Sequence, residues 1–295
     1  SPQTTYTVTP QNWWKLNATS VYTPSAPNYT TSLDFNNNSS SNQKIIQAQN
    51  TNALVADSGT ISIWAKFASS SVNSLGLIGN GITNSNVRIN IYQNSNTVGL
   101  AWSTSSSTSF PAAVAITPDK WTHVAVTRNY NGTNTIAKFY INGIEQFTDT
   151  LSGAITDKTY NDLLIGNLND PFNASRYWQG NVSNVALWDS ALTASQVSTL
   201  FNFGTPETNI SFSPINWWKL NNLNSSSSSD GLYDNGSSGI NATLYSGSGN
   251  PVTVDSTSVA VVPSWKIPSA LPITTPNYTT ALDFVSSSTT RVETT

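Results

Sequence analysis

The sequence predicts an all-β chain folded as a two-sheet antiparallel sandwich, and three observations carry that reading. In Gly59–Phe67, Ile61, Ile63, Ala65 and Phe67 alternate with Ser62, Trp64 and Lys66, the period-2 pattern of a half-buried strand. Residues 136–141 and 144–147 flank Asn142-Gly143, a pair suited to the type I′ hairpin turn because that turn needs positive φ at both central positions. Helical spacing stands out once, near residue 193, after a long series of strand patterns. A single short helix closing many antiparallel strands fits two packed sheets.

Taken in order, the strand at Gly59 is followed by Val87, Ile89 and Ile91 alternating with Arg88, Asn90 and Tyr92. On the segment that opens at Trp121, Trp121, His123, Ala125 and Thr127 share one face, leaving Val124 and Val126 for the other. The hairpin at Asn142-Gly143 comes next. Thr193-Ala-Ser-Gln196 then has the form of a capping box, and Val197, Leu200 and Phe201 follow at i, i+3, i+4 spacing before Gly204. The expected core includes Ile61, Ile63, Ile89, Ile91, Val124, Val126, Phe139, Ile141, Val185 and Leu187.

Composition narrows the function. Only 9% of the 295 residues are charged, against about 25% in an average soluble domain. Twelve Lys and Arg against fifteen Asp and Glu exclude a basic nucleic-acid face. Ser, Thr and Asn are abundant, yet ten Trp and many β-branched residues argue for a folded chain rather than a disordered one. The absence of Cys removes disulfides, thiolate metal sites and a Cys nucleophile. Position 1 is not Met, so the expectation is a processed product or part of something longer. No apolar run approaches the roughly 18 to 20 residues that span a bilayer, so membrane insertion is not expected.

The chain repeats itself. Pro10-Gln-Asn-Trp-Trp-Lys-Leu-Asn17 returns as Pro214-Ile-Asn-Trp-Trp-Lys-Leu-Asn221, and Pro27-Asn-Tyr-Thr-Thr-Ser-Leu-Asp-Phe35 returns as Pro276-Asn-Tyr-Thr-Thr-Ala-Leu-Asp-Phe284. The order is kept, with a Ser/Gly/Asn-rich insertion between the two motifs of the second copy. A bias toward Asn and Thr does not produce Trp-Trp-Lys-Leu twice, so the reading is duplication. The expected organisation is one complete module over 1–204, then a linker and an incomplete second copy over 205–295 that lacks a counterpart of 57–204.

Several motifs in the complete copy carry a resemblance. Trp121-Thr-His-Val-Ala-Val-Thr127, the Asn131-Gly-Thr turn, Lys138-Phe-Tyr-Ile-Asn-Gly143, Leu163-Leu-Ile-Gly166, the run from Tyr177 to Trp188 and Ala191-Leu-Thr-Ala-Ser-Gln-Val197 occur in the order found in laminin-G-like, concanavalin A-like jelly-roll domains. The resemblance covers about residues 10–204 and is densest from 120 to 200. It implies a jelly roll of two antiparallel sheets. Asp234-Asn-Gly-Ser-Ser-Gly-Ile-Asn-Ala-Thr-Leu244 also resembles the early Asp/Gly/Asn-rich turn of such domains, a turn missing from the first copy.

The superfamily includes β-glucanases, so catalysis has to be weighed. Retaining glycosidases need two carboxylates about 5 to 5.5 Å apart. Laminarinase-type members carry theirs in a Glu-x-Asp-x-x-Glu pattern, and none of Glu145, Glu207 and Glu293 begins one. His123 is the only histidine, which leaves a Ser-His-Asp triad one place to form and removes a conventional zinc site. The expectation is no catalytic residue. Calcium needs only oxygen ligands, and the resemblance implies that it can sit on the sandwich rim. Its candidates are Asp57, Asp170 with Asn167 or Asn169, and Asp234 with Asn235; each is also an ordinary turn residue. The loop containing Asn169, Asp170, Arg176, Tyr177 and Trp178 combines groups that stack on and hydrogen-bond a sugar, although Trp178 also suits packing inside the sandwich.

Two functions follow. The first is a noncatalytic structural and interaction protein of an extracellular or virion surface assembly, such as a fibre, head decoration, filament or adhesin subunit. Its partners would be other copies of itself or other surface subunits, joined through Trp217, Trp218, Leu282 and Phe284 on edges left open by the incomplete copy. The second is a secreted, lectin-like module that binds glycans.

Overall fold

In the computed structural model the described residues are 29–36, 45–49, 51, 56–69, 75–80, 89–155, 162–167, 177–245 and 252–261, all within one compact unit, Pro27–Val261. In chain order the strands are β1 (Ser32–Asn36), β2 (Ile45–Ala48), β3 (Gly59–Phe67), β4 (Leu75–Asn80), β5 (Ile89–Asn94), β6 (Thr97–Ser103), β7 (Thr108–Ser109) and β8 (Val114–Ala115). They continue with β9 (Trp121–Tyr130), β10 (Asn134–Ile141), β11 (Ile144–Ser152), β12 (Leu163–Ile165), β13 (Gln179–Trp188), β14 (Asn216–Trp218), β15 (Thr243–Tyr245) and β16 (Val252–Asp255). One α-helix, α1 (Ala194–Phe201), follows β13.

The strands form two antiparallel sheets. The first runs β11-β10-β9-β3-β13-β1-β16 with β14 also on β13, and the second runs β15-β2-β12-β4-β5-β6-β7 with β8 also on β6. Their inner faces meet in one core. Nine of the ten expected core residues are at most 2% exposed, and Ile141 packs against them from the rim. The local signals hold too: Asn142 and Gly143 have φ of 51° and 77°, as a type I′ turn requires. Thr193 caps α1 reciprocally with Gln196, and the helix ends at Asn202 in the left-handed region.

Two expectations change. β3 is buried on both faces rather than one, because Trp64 lies under Phe201 of α1 with the rings stacked at 5.9 Å. A second apolar layer, with Tyr140, Trp188, Val197, Leu200 and Trp217, covers part of the outer face of the first sheet, over β9, β10 and β13. The expected boundary at residue 204 also does not divide the sheets. β14, β15 and β16 come from the 205–295 segment, yet they pair with β13, β2 and β1. They sit there because the sandwich offers what they need: ladder partners for the backbone, and a core that takes up Trp218, Leu220, Leu232 and Val252.

Candidate binding face

On the outer face of the second sheet, Gln47, Tyr92 and Thr243 reach solvent, while Leu164, Asn90 and Ala101 are 5%, 2% and 4% exposed. The pairing register aligns Thr243, Gln47, Leu164, Gly79, Asn90 and Ala101 in a row across six strands. Their sequence neighbours Ile46, Leu163, Ile89 and Leu100 point into the core, so the row points outward. At about 4.8 Å per strand it is about 24 Å long. Beside it, Tyr92 stands between Gly76 and Gly99 on the neighbouring strands. A Cβ on Gly99 would meet the Tyr92 ring at 2.7 Å, so the ring lies down over the glycine.

Chemically this face is amphipathic, and the half-exposed Asp162 carboxylate stands beside Gln47. Burial raises the Tyr92 hydroxyl above its ordinary pKa, so it is a protonated donor at neutral pH. The Gln47 amide donates to Asp162 at 3.0 Å, which fixes its orientation. Ile45, Leu164 and Tyr177 form a buried apolar patch, while Gln47, Tyr92 and Asn94 stay half-exposed. Such a surface offers an aromatic plane at Tyr92 and a fixed amide at Gln47. The alternation of Asn90 and Tyr92 with Ile89 and Ile91 is visible in the sequence, but the glycines that flank Tyr92 come from two other strands.

The expected sites fall elsewhere. Asn169, Asp170 and Arg176 lie outside the described residues, as do Leu282 and Phe284. Tyr177 and Trp178 are 2% and 0% exposed; Trp178 packs edge-on against Phe67 at 5.0 Å, and neither ring offers a face to a sugar. Trp218 is likewise inside the sandwich, and Trp217 is buried at 8% exposure in the apolar layer on the outer face of the first sheet, both paired to β13. Asp57 acts on the buried Arg128, whose guanidinium burial pushes down to about 10 against the pull of that carboxylate.

Asp234 is a clamp rather than a cation ligand. Its carboxylate accepts from the Trp217 backbone at 2.7 Å, Gly236 at 2.8 Å, Ile240 at 2.9 Å, Ser238 Oγ at 2.6 Å and Asn216 Nδ2 at 3.0 Å. A carboxylate has about four lone-pair sites, so these donors leave none for a metal. Among the described residues no three His, Asp or Glu side chains gather as a metal group would need.

His123 and Ser62 form a second close pair, Nε2 to Oγ at 2.9 Å. Both are buried, with Trp64 5.3 Å and Phe201 6.3 Å from the imidazole. Burial pulls His123 down to about 3, so the ring is neutral at neutral pH. The pair braces β3 against β9 beneath α1 and reaches no solvent.

Two antiparallel sheets around a shared core define a jelly-roll sandwich. The comparisons agree: residues 37–198 match the model of the concanavalin A-like lectin/glucanases superfamily, laminin-G type, and the chain belongs to that family. Among solved structures, a proposed carbohydrate-binding protein from Bacteroides ovatus aligns with a TM-score of 0.55 at 14% identity, over 79% of this chain and 62% of its own. The chain thus spans less than two thirds of that protein, and the likeness is one of fold. A heptameric pentraxin from Limulus polyphemus aligns at 0.45 and 20% identity, over 61% of this chain and 87% of its own. The CBM40 of a Ruminococcus gnavus sialidase, solved with sialyllactose, aligns at 0.42 and 15%, over 55% and 94%. No curated protein is detectably similar in sequence.

Proposed function

We propose that this chain is a noncatalytic carbohydrate-recognition module that binds a neutral glycan across the outer face of the second sheet. The observation that carries the proposal is the pair of half-exposed groups on the outward side of the second sheet, the fixed amide of Gln47 and the ring of Tyr92, which lies between two glycines. Ligand sites of this kind are largely apolar, with a few placed polar groups that fix orientation. Family membership supports it, as does the Bacteroides protein, which shares the fold and is described as carbohydrate-binding. Catalysis is not part of the reading. Glu145 is held by Lys138 at 2.9 Å and Thr148 at 2.7 Å on an exposed hairpin, which keeps it below the usual carboxylate range. Glu207 lies on the loop beyond α1, where burial raises it.

A glycan array followed by NMR titration tests the proposal. Binding should weaken about tenfold or more in Tyr92→Ala, the loss of one well-packed aromatic contact. If no glycan binds, or if Tyr92→Ala and Gln47→Ala leave affinity unchanged, the proposal falls. Steady release of reducing sugar from a polysaccharide would overturn the noncatalytic part.

A second reading is favoured by the repeat: a structural and interaction subunit of an extracellular or virion surface assembly, in which the face serves adhesion. Duplicated modules with little charge and many Ser, Thr and Asn residues suit such a surface. Electron microscopy of the purified chain distinguishes the two, since regular arrays or filaments support assembly and dispersed single particles do not.

A further inference from the structure

One edge of β13 runs against β3, and the other is shared. β1 pairs with Gln179, Gly180, Asn181 and Val182, while β14 pairs with Val185, Ala186 and Leu187. Asn184, with φ of 49°, marks the break between the two stretches. The slot along Val185, Ala186 and Leu187 is specific for its occupant. Asn216, Trp218 and Leu220 are fully buried in it and Trp217 is 8% exposed. Trp217 Nε1 donates to Asn184 Oδ1 at 2.9 Å, and the Lys219 carbonyl accepts from the Asn184 backbone at 2.9 Å and from Ser183 Oγ at 3.2 Å.

The occupant is Asn-Trp-Trp-Lys-Leu-Asn, and the same six residues stand at 12–17. Each chain therefore carries two sequences suited to the one slot found among the described residues. What separates them is the latch. Only the second copy is followed by the Asp234 turn, which holds Asn216 Nδ2 and the Trp217 amide on its carboxylate. The same turn accepts Trp218 Nε1 on the Ile240 carbonyl at 2.9 Å and donates the Asn235 amide to the Trp217 carbonyl at 2.7 Å. After Asn17 the chain reads Ala-Thr-Ser-Val-Tyr-Thr-Pro-Ser-Ala, with no Asp and no Gly.

We infer that the slot is a strand-exchange site between copies of this chain: residues 12–17 of a second copy replace Asn216–Asn221 there, and the Asp234 turn is the latch that holds the resident segment in place. The incoming segment carries the same six side chains and backbone groups as the resident one, and lacks the resident's bonds to the chain that follows it: those of the Asp234 turn, the Leu220 amide on the Gly231 carbonyl at 3.0 Å and the Lys219 ammonium on the Ser228 carbonyl. Exchange links copies through a continued sheet, a heterologous contact of the kind that builds chains.

The chain has no cysteine, so paired single-cysteine chains report the contact cleanly. Trp217 faces Ala186 in the register, and Trp13 is its counterpart in the first copy. A full-length chain with Ala186→Cys and Asp234→Ala is mixed with one carrying Trp13→Cys, oxidised mildly and resolved without reductant. A chain with both Ala186→Cys and Trp217→Cys calibrates the geometry by closing on itself. The mixed disulfide should rise about tenfold or more over an acceptor with Asp234 intact, as expected when charge-assisted hydrogen bonds are lost. Trp14→Ala in the donor should abolish it. If the Asp234→Ala chain does not fold, an acceptor with Ala186→Cys and Trp218→Ala weakens the resident segment instead and should give the same product. The inference is overturned if neither acceptor forms the mixed disulfide, or if the product ignores Trp14→Ala. It is also overturned if a chain carrying both Trp13→Cys and Ala186→Cys closes only on itself.

Discussion

His123 makes the stability of this sandwich depend on acid in a calculable way. Its ordinary value is 6.5, and burial between β3, β9 and α1 lowers it to about 3. Ser62, Trp64, Phe201 and the backbone-bound Asn142 surround it, and none of these carries a charge. Below pH 6.5 the unfolded chain takes up a proton at this residue, while the native chain does not until about pH 3. More protons on the unfolded state mean that native stability falls as pH falls through that window. The slope for one such group is about 1.4 kcal/mol per pH unit, so two units below 6.5 the loss is roughly 2–3 kcal/mol. Urea unfolding at pH 7 and pH 4.5, on the native chain and on His123→Gln, measures it. Gln keeps a group that can hydrogen-bond Ser62 but does not titrate, so the variant's stability should change less between the two pH values by about that amount. Carboxylate titrations are common to both chains and cancel in the difference. Parallel pH dependences would refute the buried, neutral imidazole.

Replacing Ile63 or Val126 with Asp places an unpaired carboxylate in the core at a cost of several kcal/mol, comparable to total stability, and circular dichroism should show unfolded chains. Trp178→Ala should lower stability by about 3–5 kcal/mol in denaturant melts, because the emptied volume beside Phe67 lies in the core between the sheets. If that variant melts like the native chain and instead loses glycan binding, Trp178 is a ligand contact and its packing role is refuted.

Much of the fold was legible because it is written in local periods. Alternation along β3, β5, β9 and β10, the Asn142-Gly143 turn and the Thr193 to Gln196 capping box each depend on residues a few positions apart, where side-chain direction and backbone preference act directly. The family resemblance rested on the same segments in the same order. Duplication, low charge and the absence of cysteine needed no structure at all.

Other properties depended on which distant segments meet. Period alone marks Ser62, Trp64 and Lys66 as the outer face of β3, and only the docking of α1 buries Trp64 and encloses His123. Asp234 looks like any turn or calcium residue in sequence; its role appears once Asn216, Trp217, Ser238 and Ile240 converge on it. The binding face is a row across six strands, and register between strands leaves no trace in a single segment's pattern. The destination of the second Trp-Trp-Lys-Leu was the least legible. The sequence shows that it repeats the first, but the unpaired edge of β13 and the space in the core decide that it completes this sandwich, because backbone hydrogen bonds and apolar burial are satisfied wherever the chain can supply them.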